Sequence, residues 1–144
     1  MTRSANPSPT SEITTKVMKA NRSKDTTPEI QVRKALRDAG FPGYRVNWKK
    51  APGRPDIAYP GRRVAIFVNG CFWHRCPRCN LPLPKSHTDF WEKKFLSNVA
   101  RDERKTRELE SAGWTVITIW ECEIDRELPQ VVDRITPYLR MLDI

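Results

Sequence analysis

Four cysteines constrain this 144-residue chain more than any other feature. Cys71, Cys76 and Cys79 share one short stretch, the last two as Cys-Pro-Arg-Cys, and Cys122 follows 43 residues after Cys79 (122 − 79). A fold that gathers all four must bring a distant segment back against the loop at 71–79. In a reducing compartment such a group suits a tetrahedral structural zinc, with the Cys-x-x-Cys pair gripping one edge. Cys71 and Cys122 would arrive from the ends of two strands lying side by side. Three other readings compete. A redox Cys-x-x-Cys leaves Cys71 and Cys122 unexplained, buried free thiols explain no grouping, and a catalytic zinc needs an open position that four thiolates deny it. His74, inside the loop, could replace one of the cysteines.

The rest of the chain reads as one domain at 16–144 behind a flexible arm at 1–15, which is rich in Ser, Thr and Pro. A helix is expected from Thr27-Pro28-Glu29, with Thr27 as cap, Pro28 in the first turn, Glu29 complementing the dipole and Gly40 as the stop. Ile30, Val32, Ala35 and Leu36 are its apolar positions. Tyr44–Trp48, Asp56–Tyr59 and Arg63–Val68 are strand candidates, punctuated by Pro-Gly-Arg turns at 52–54 and 60–62. A long helix from Thr88 or Asp89 to Ala112, a strand at Trp114–Trp120 and a helix at Leu128–Leu142 complete the pattern. This order predicts an α/β fold with one mixed sheet flanked by helices.

Charge narrows the partners. The 26 Lys and Arg against 17 Asp and Glu leave a formal charge of +9, and such an excess favours polyanions through counterion release. No apolar run approaches the ~18–20 residues a membrane helix needs, and the N-terminal stretch has no signal-peptide core. The expectation is a cytoplasmic nucleic-acid-binding protein, acting as a monomer.

Pro55-Asp56 opens one strand candidate, and Ile66-Phe67-Val68 lies on the next. An Asp and a backbone carbonyl on neighbouring strands can hold Mg²⁺, which takes hard oxygen ligands and keeps several waters. By itself a Pro-Asp pair is as often a turn-to-strand transition. The wider pattern is more specific: Pro52-Gly53-Arg54-Pro55-Asp56, then Val64-Ala65-Ile66-Phe67-Val68-Asn69-Gly70-Cys71-Phe72-Trp73-His74, then Trp120-Glu121-Cys122. Lys24-Asp25-Thr26-Thr27-Pro28-Glu29, Thr88-Asp89-Phe90-Trp91 and Asn98-Val99-Ala100-Arg101-Asp102 belong to it as well. In this order the chain resembles the very-short-patch (Vsr-type) DNA mismatch endonuclease family.

The resemblance implies a restriction-endonuclease-like fold with a structural zinc. It also implies Mg²⁺-dependent nicking of double-stranded DNA beside a T:G mismatch. By position, Asp56 matches the metal-binding catalytic Asp, with Val68 offering its carbonyl. His74 matches the catalytic His, and Glu29 and Asp102 match acidic residues that support the site. Cys71, Cys79 and Cys122 match zinc ligands, and Cys76 stands where some members use His. Phe72, Trp73 and Trp91 match aromatics that wedge beside the mismatch, and Met18 matches an intercalating residue on the N-terminal arm. Where the family often has Thr-His this chain has Val68-Asn69, and Asn69 cannot carry a proton.

Read without the family, Glu29 is a first-turn dipole complement and Asp102 sits in a charged run that looks like a solvated helix face. Phe72 and Trp73, adjacent at a strand end, should point to opposite faces, leaving at least one exposed. Two rival functions are a nuclease of the same fold with a homing, restriction or transposon-linked target, and a catalytically weak zinc-bearing DNA-binding module.

Overall fold

In the computed structural model, which describes residues 26–140, helix α1 (Thr27–Asp38) is capped by Thr26 and not by Thr27. The reason is reciprocal bonding. Thr26 Oγ1 accepts the Glu29 N–H at 3.4 Å, and the Glu29 carboxylate accepts the Thr26 hydroxyl at 2.9 Å and its N–H at 3.5 Å. Such a box needs its Glu three residues after the cap, which only Thr26 provides. Val32 and Leu36 form the buried stripe of α1, while Ile30 is exposed. Gly40, at φ +98°, follows the helix end.

The sheet has the order β1-β2-β3-β4. Strand β1 is only Arg45–Val46, because Asn47 turns into the left-handed region at φ +46°. It runs antiparallel to β2 (Ile57–Tyr59), which runs antiparallel to β3 (Val64–Asn69) with Ile57 opposite Ile66. Strand β4 (Thr115–Trp120) lies parallel to β3, from Val64 opposite Thr115 to Asn69 opposite Trp120. Parallel neighbours require a crossover, and α2 (Thr88–Ser111) supplies it.

Alternation along the strands sends side chains to two cores. On one face Ile57, Val64, Ile66, Ile117 and Ile119 pack with Val32 and Leu36 of α1 and with Ile124, Val131, Ile135 and Leu139 of α3 (Glu121–Arg140). On the other, Ala65 and partly buried Phe67 meet Leu109 of α2 and the loop residues Trp48 and Ala51. The result is a mixed α/β fold with helices on both faces of the sheet.

Helix α3 is broken at Glu127, whose φ is −139°, so that a short helix at 121–126 precedes the helix expected from Leu128. Pro129, two residues on, lacks an N–H and restricts the backbone before it, so the helix cannot pass straight through. The C-terminal end of the expected helix, at 141–144, lies outside the described residues, as do the arm at 1–15 and Met18. Among the described residues no helix is long and apolar enough to cross a membrane.

Candidate active site and cysteine cluster

Asp56 precedes β2 by one residue, which puts it across from the C-terminal half of β3. There its Oδ2 accepts the Val68 N–H at 2.7 Å. Burial pushes its carboxyl pKa up to about 6 against that hydrogen bond; the nearby charge of Glu29 raises it further, and those of Lys105 and His74 oppose the rise. Asp56 and Glu29 are therefore within electrostatic reach of each other, although one comes from a strand entrance and the other from the first turn of α1. Glu29 is buried at 3% exposure, and its carboxylate also accepts from Arg33 Nη2 at 3.3 Å. A capping residue and a charge that acts on Asp56 are here the same side chain.

His74 reaches the site from the loop after β3, where its N–H donates to the Gly70 carbonyl at 3.1 Å. Its Nδ1 lies 2.6 Å from Asp102 Oδ2. An ionised carboxylate only accepts, so Nδ1 carries the proton and Nε2 is left as the other functional nitrogen. Asp102 is on α2, and its placement follows a stripe: Trp91, Phe95, Asn98, Asp102, Thr106 and Leu109 recur every three or four residues and turn inward. The charged run around Asp102 hides this stripe in the sequence, but its distance of seven from both Phe95 and Leu109 would have revealed it. Lys105 escapes sequence reasoning for the same reason, and Asn98 is legible only as part of a motif, with no task. Asn98 Nδ2 donates to the Trp73 carbonyl at 3.0 Å, tying the His74 loop to the helix.

The four cysteines converge. All their sulfurs lie within 4.8 Å of one another, the one such cluster of potential metal ligands among the described residues. Cys76 Sγ and Cys122 Sγ are 3.8 Å apart, too far for a disulfide. Four sulfurs at ~2.3 Å from one zinc, at tetrahedral angles, would stand about 3.8 Å apart. The convergence has a simple cause in the register. Asn69 pairs with Trp120, and Cys71 and Cys122 each follow two residues later on these parallel neighbours. Cys76 and Cys79 then fold back, the Cys76 N–H donating to the Cys71 carbonyl at 3.0 Å. Glu123, at 6% exposure, fastens the cluster to α3. Its carboxylate accepts from Arg78 at 3.2 Å, from Arg134 at 3.0 and 3.1 Å and from the Trp120 N–H at 2.9 Å. Burial works against this charge, yet the bonds from Arg134 and Trp120 hold the carboxyl below its usual range.

The aromatics form a separate assembly. Trp73 and Trp91 are 8% and 3% exposed and pack with Phe95, while Phe72, half-buried, stands edge-on to all three at 5.1–5.8 Å between ring centres. Residues 71–75 turn instead of extending the strand, so Phe72 and Trp73 share this cluster and do not point to opposite faces. Of the three expected wedge residues, only Phe72 presents partly exposed surface. Arg75 covers the cluster, its guanidinium 4.3 Å from the Phe95 ring centre.

The family model for the DNA mismatch endonuclease Vsr matches residues 9–80. The Type II nicking enzyme V.XorIIP of Xanthomonas oryzae pv. oryzae is 45% identical over 109 residues, covering 75% of this chain and 79% of that protein. The Type II nicking enzyme V.NmeAIP of Neisseria meningitidis is 44% identical over 110 residues, covering 75% of this chain and 76% of the relative. The DNA mismatch endonuclease Vsr of Escherichia coli is 37% identical over 109 residues, covering 76% of this chain and 69% of that enzyme.

Proposed function

Because the chain belongs to the Vsr family of DNA mismatch endonucleases, we propose that it nicks one strand of double-stranded DNA beside a T:G mismatch by Mg²⁺-dependent hydrolysis. The observation that supports this most is Asp56, held against β3 by the Val68 N–H and within electrostatic reach of Glu29 and of His74, whose Nδ1 meets Asp102. The buried Asp56 carboxylate is a hard-oxygen donor of the kind Mg²⁺ takes, and Mg²⁺ needs only one or two such groups because it keeps several waters. Asp56 and the carbonyl of Val68 would hold the ion; in a pleated strand the N–H and C=O of one residue leave toward the same neighbour, here the side of Asp56. Bound there, Mg²⁺ supplies charge neutralisation on the phosphate and lowers the pKa of water.

The chain's own groups do the rest. His74, with Nδ1 held by Asp102, takes the proton of the attacking water at Nε2 as the new O–P bond forms and the P–O bond to the leaving sugar breaks. Glu29 adds its charge to the rise that burial imposes on the Asp56 carboxyl and so supports the site indirectly. The cysteine cluster suits a structural zinc, because four thiolates at this spacing close the tetrahedron. That zinc would fix the loop carrying His74 and Phe72. Phe72, backed by buried Trp73 and Trp91, is the surface that enters beside the mismatch, where unstacking costs least. Met18, which matches the family's intercalating residue, would enter from the other side. The layer order is consistent with a restriction-endonuclease-like fold.

The test is nicking of matched and T:G duplexes, across a panel of sequence contexts, in Mg²⁺ or EDTA. Cutting confined to T:G duplexes in Mg²⁺ supports the reading. Equal cutting of both in every context would replace mismatch repair with another target, and cutting in EDTA would remove the metal.

A further inference from the structure

Lys105 is a basic side chain that the fold directs toward this site and that the reading above leaves without a task. It follows Asp102 by three residues on the inward side of α2 and is half-buried. Its stem is clamped by Gly53: a Cβ added there would lie 2.9 Å from Lys105 Cβ and 3.0 Å from Cγ. Gly53 belongs to the Pro-Gly-Arg-Pro-Asp segment that delivers Asp56, so one loop positions both the carboxylate and the lysine. The ammonium stands 5.9 Å from the centre of the Phe67 ring, next to Val68. There it lines a depression with Asn69, Asp102, Thr106 and Thr118. Its charge reaches Asp56. Among the described residues no carboxylate forms an ion pair with it.

We propose that Lys105 is a further catalytic residue, its ammonium group contacting the scissile phosphate and balancing the negative charge that builds there as the O–P bond forms. An ammonium is a compact point charge on a long stem. Held by the clamp at its base and by an aromatic face near its tip, it is aimed before substrate arrives. A preset charge loses no reorganisation energy at the moment of reaction. The carboxylates beside it need such a counterweight, because they repel the same phosphate that they help to hydrolyse. This assignment rests on the nuclease reading above and adds to it a residue that works on the phosphate from the α2 side.

The experiment uses the full chain with Lys105→Met, which keeps the stem, and Lys105→Arg, which keeps the charge. Single-turnover nicking is measured at saturating enzyme in Mg²⁺. Binding is measured in EDTA to duplexes carrying either phosphate or a neutral methylphosphonate at the mapped nick position. Lys105→Met should lower the nicking rate roughly 10²-fold, the size of loss seen when one preorganised donor is removed. Lys105→Arg should recover part of the rate. Methylphosphonate should weaken binding by wild type but not by Lys105→Met, since the charged contact is already gone. Three results overturn the assignment. One is a Met rate within about threefold of wild type. Another is a Met variant that still responds to methylphosphonate as wild type does. Both leave the nuclease reading intact. Wild-type protein that nicks no duplex in Mg²⁺ sinks that reading and this residue's role together.

Discussion

A carboxyl group that ionises only near pH 6 makes the folded chain less stable at neutral pH. Asp56 would lose its proton near 3.8 when unfolded and near 6 when folded, so between those values the native state holds more protons. Its effect on stability is therefore neutral below about pH 4, grows unfavourable as pH rises to about 6, and is constant above. Asp56→Asn should raise stability at pH 7.5 by ~1–3 kcal/mol in the metal-free protein, with the gain vanishing below pH 4, and should abolish nicking. Urea unfolding at the two pH values checks the first part; a gain that persists at pH 3.5 would mean a different cause. The aromatics divide differently. Trp73→Ala opens the buried cluster and should cost ~3–5 kcal/mol, whereas Phe72→Ala should cost less and act chiefly on the preference for T:G over matched duplexes. Unfolding midpoints and nicking ratios of the two variants separate support from contact. A Phe72→Ala enzyme with unchanged T:G preference would remove Phe72 as the wedge.

At the scale of elements, the clamp between the 51–56 loop and α2 sets the site's spacing. Gly53 sits at φ +73° and has no room for a Cβ beside Lys105. Gly53→Ala should cost ~1–3 kcal/mol from backbone strain and the displaced helix contact. Because Asp56 is three residues away, it should also slow nicking more than its stability loss would predict. Full activity in a Gly53→Ala protein that still folds would show that the spacing tolerates error. The elements themselves were largely legible in the sequence: the helix stop at Gly40, the strand at Arg63–Val68 and the long helix ending before Gly113 all follow local chemistry. The misses have physical reasons. Thr26 and Thr27 look alike as caps until the reach of Glu29 is counted. The short helix ahead of Leu128 begins where Glu123 accepts the Trp120 N–H, a contact that periodicity cannot display. Trp73 was read as a strand-end residue, but the backbone turns at Cys71 to bring the thiols together. Asp102 was hidden by charge, and only the spacing of its neighbours marks the face it occupies.

For the whole molecule, the sheet alone does not hold the 71–87 segment, which carries no strand or helix. If a zinc ion sits among the four thiolates, its binding energy is folding energy for that segment. Purified under reducing conditions, the protein should contain one zinc per chain. Strong chelation should lower the unfolding temperature by several degrees (about 2–8 °C for each kcal/mol lost), and Cys122→Ser should do the same while losing the metal. A chain that is metal-free yet fully stable would leave the cysteines as buried thiols. DNA affinity, driven by the +9 charge, should fall steeply with salt for matched and mismatched duplexes alike. The convergence of the cysteines was foreseeable because two of them end parallel neighbours. That His74 rides on the same loop was legible too, since it lies between Cys71 and Cys76 in the sequence, whereas its meeting with Asp102 depends on how the loop folds back against α2.

The pairing of Asn69 with Trp120 carries a consequence for synthesis. During translation Cys71, His74 and Asp102 leave the ribosome before Trp120 and Cys122 do. At ordinary elongation rates of about 5–20 residues per second the delay from Cys79 to Cys122 is of order 2–9 seconds. Throughout that interval β3 has no parallel partner and the loop bearing His74 has no fourth thiol. The end of β3 and the His74 loop should therefore reach their final arrangement only after most of the chain has been made, and a product truncated before β4 should show no nicking.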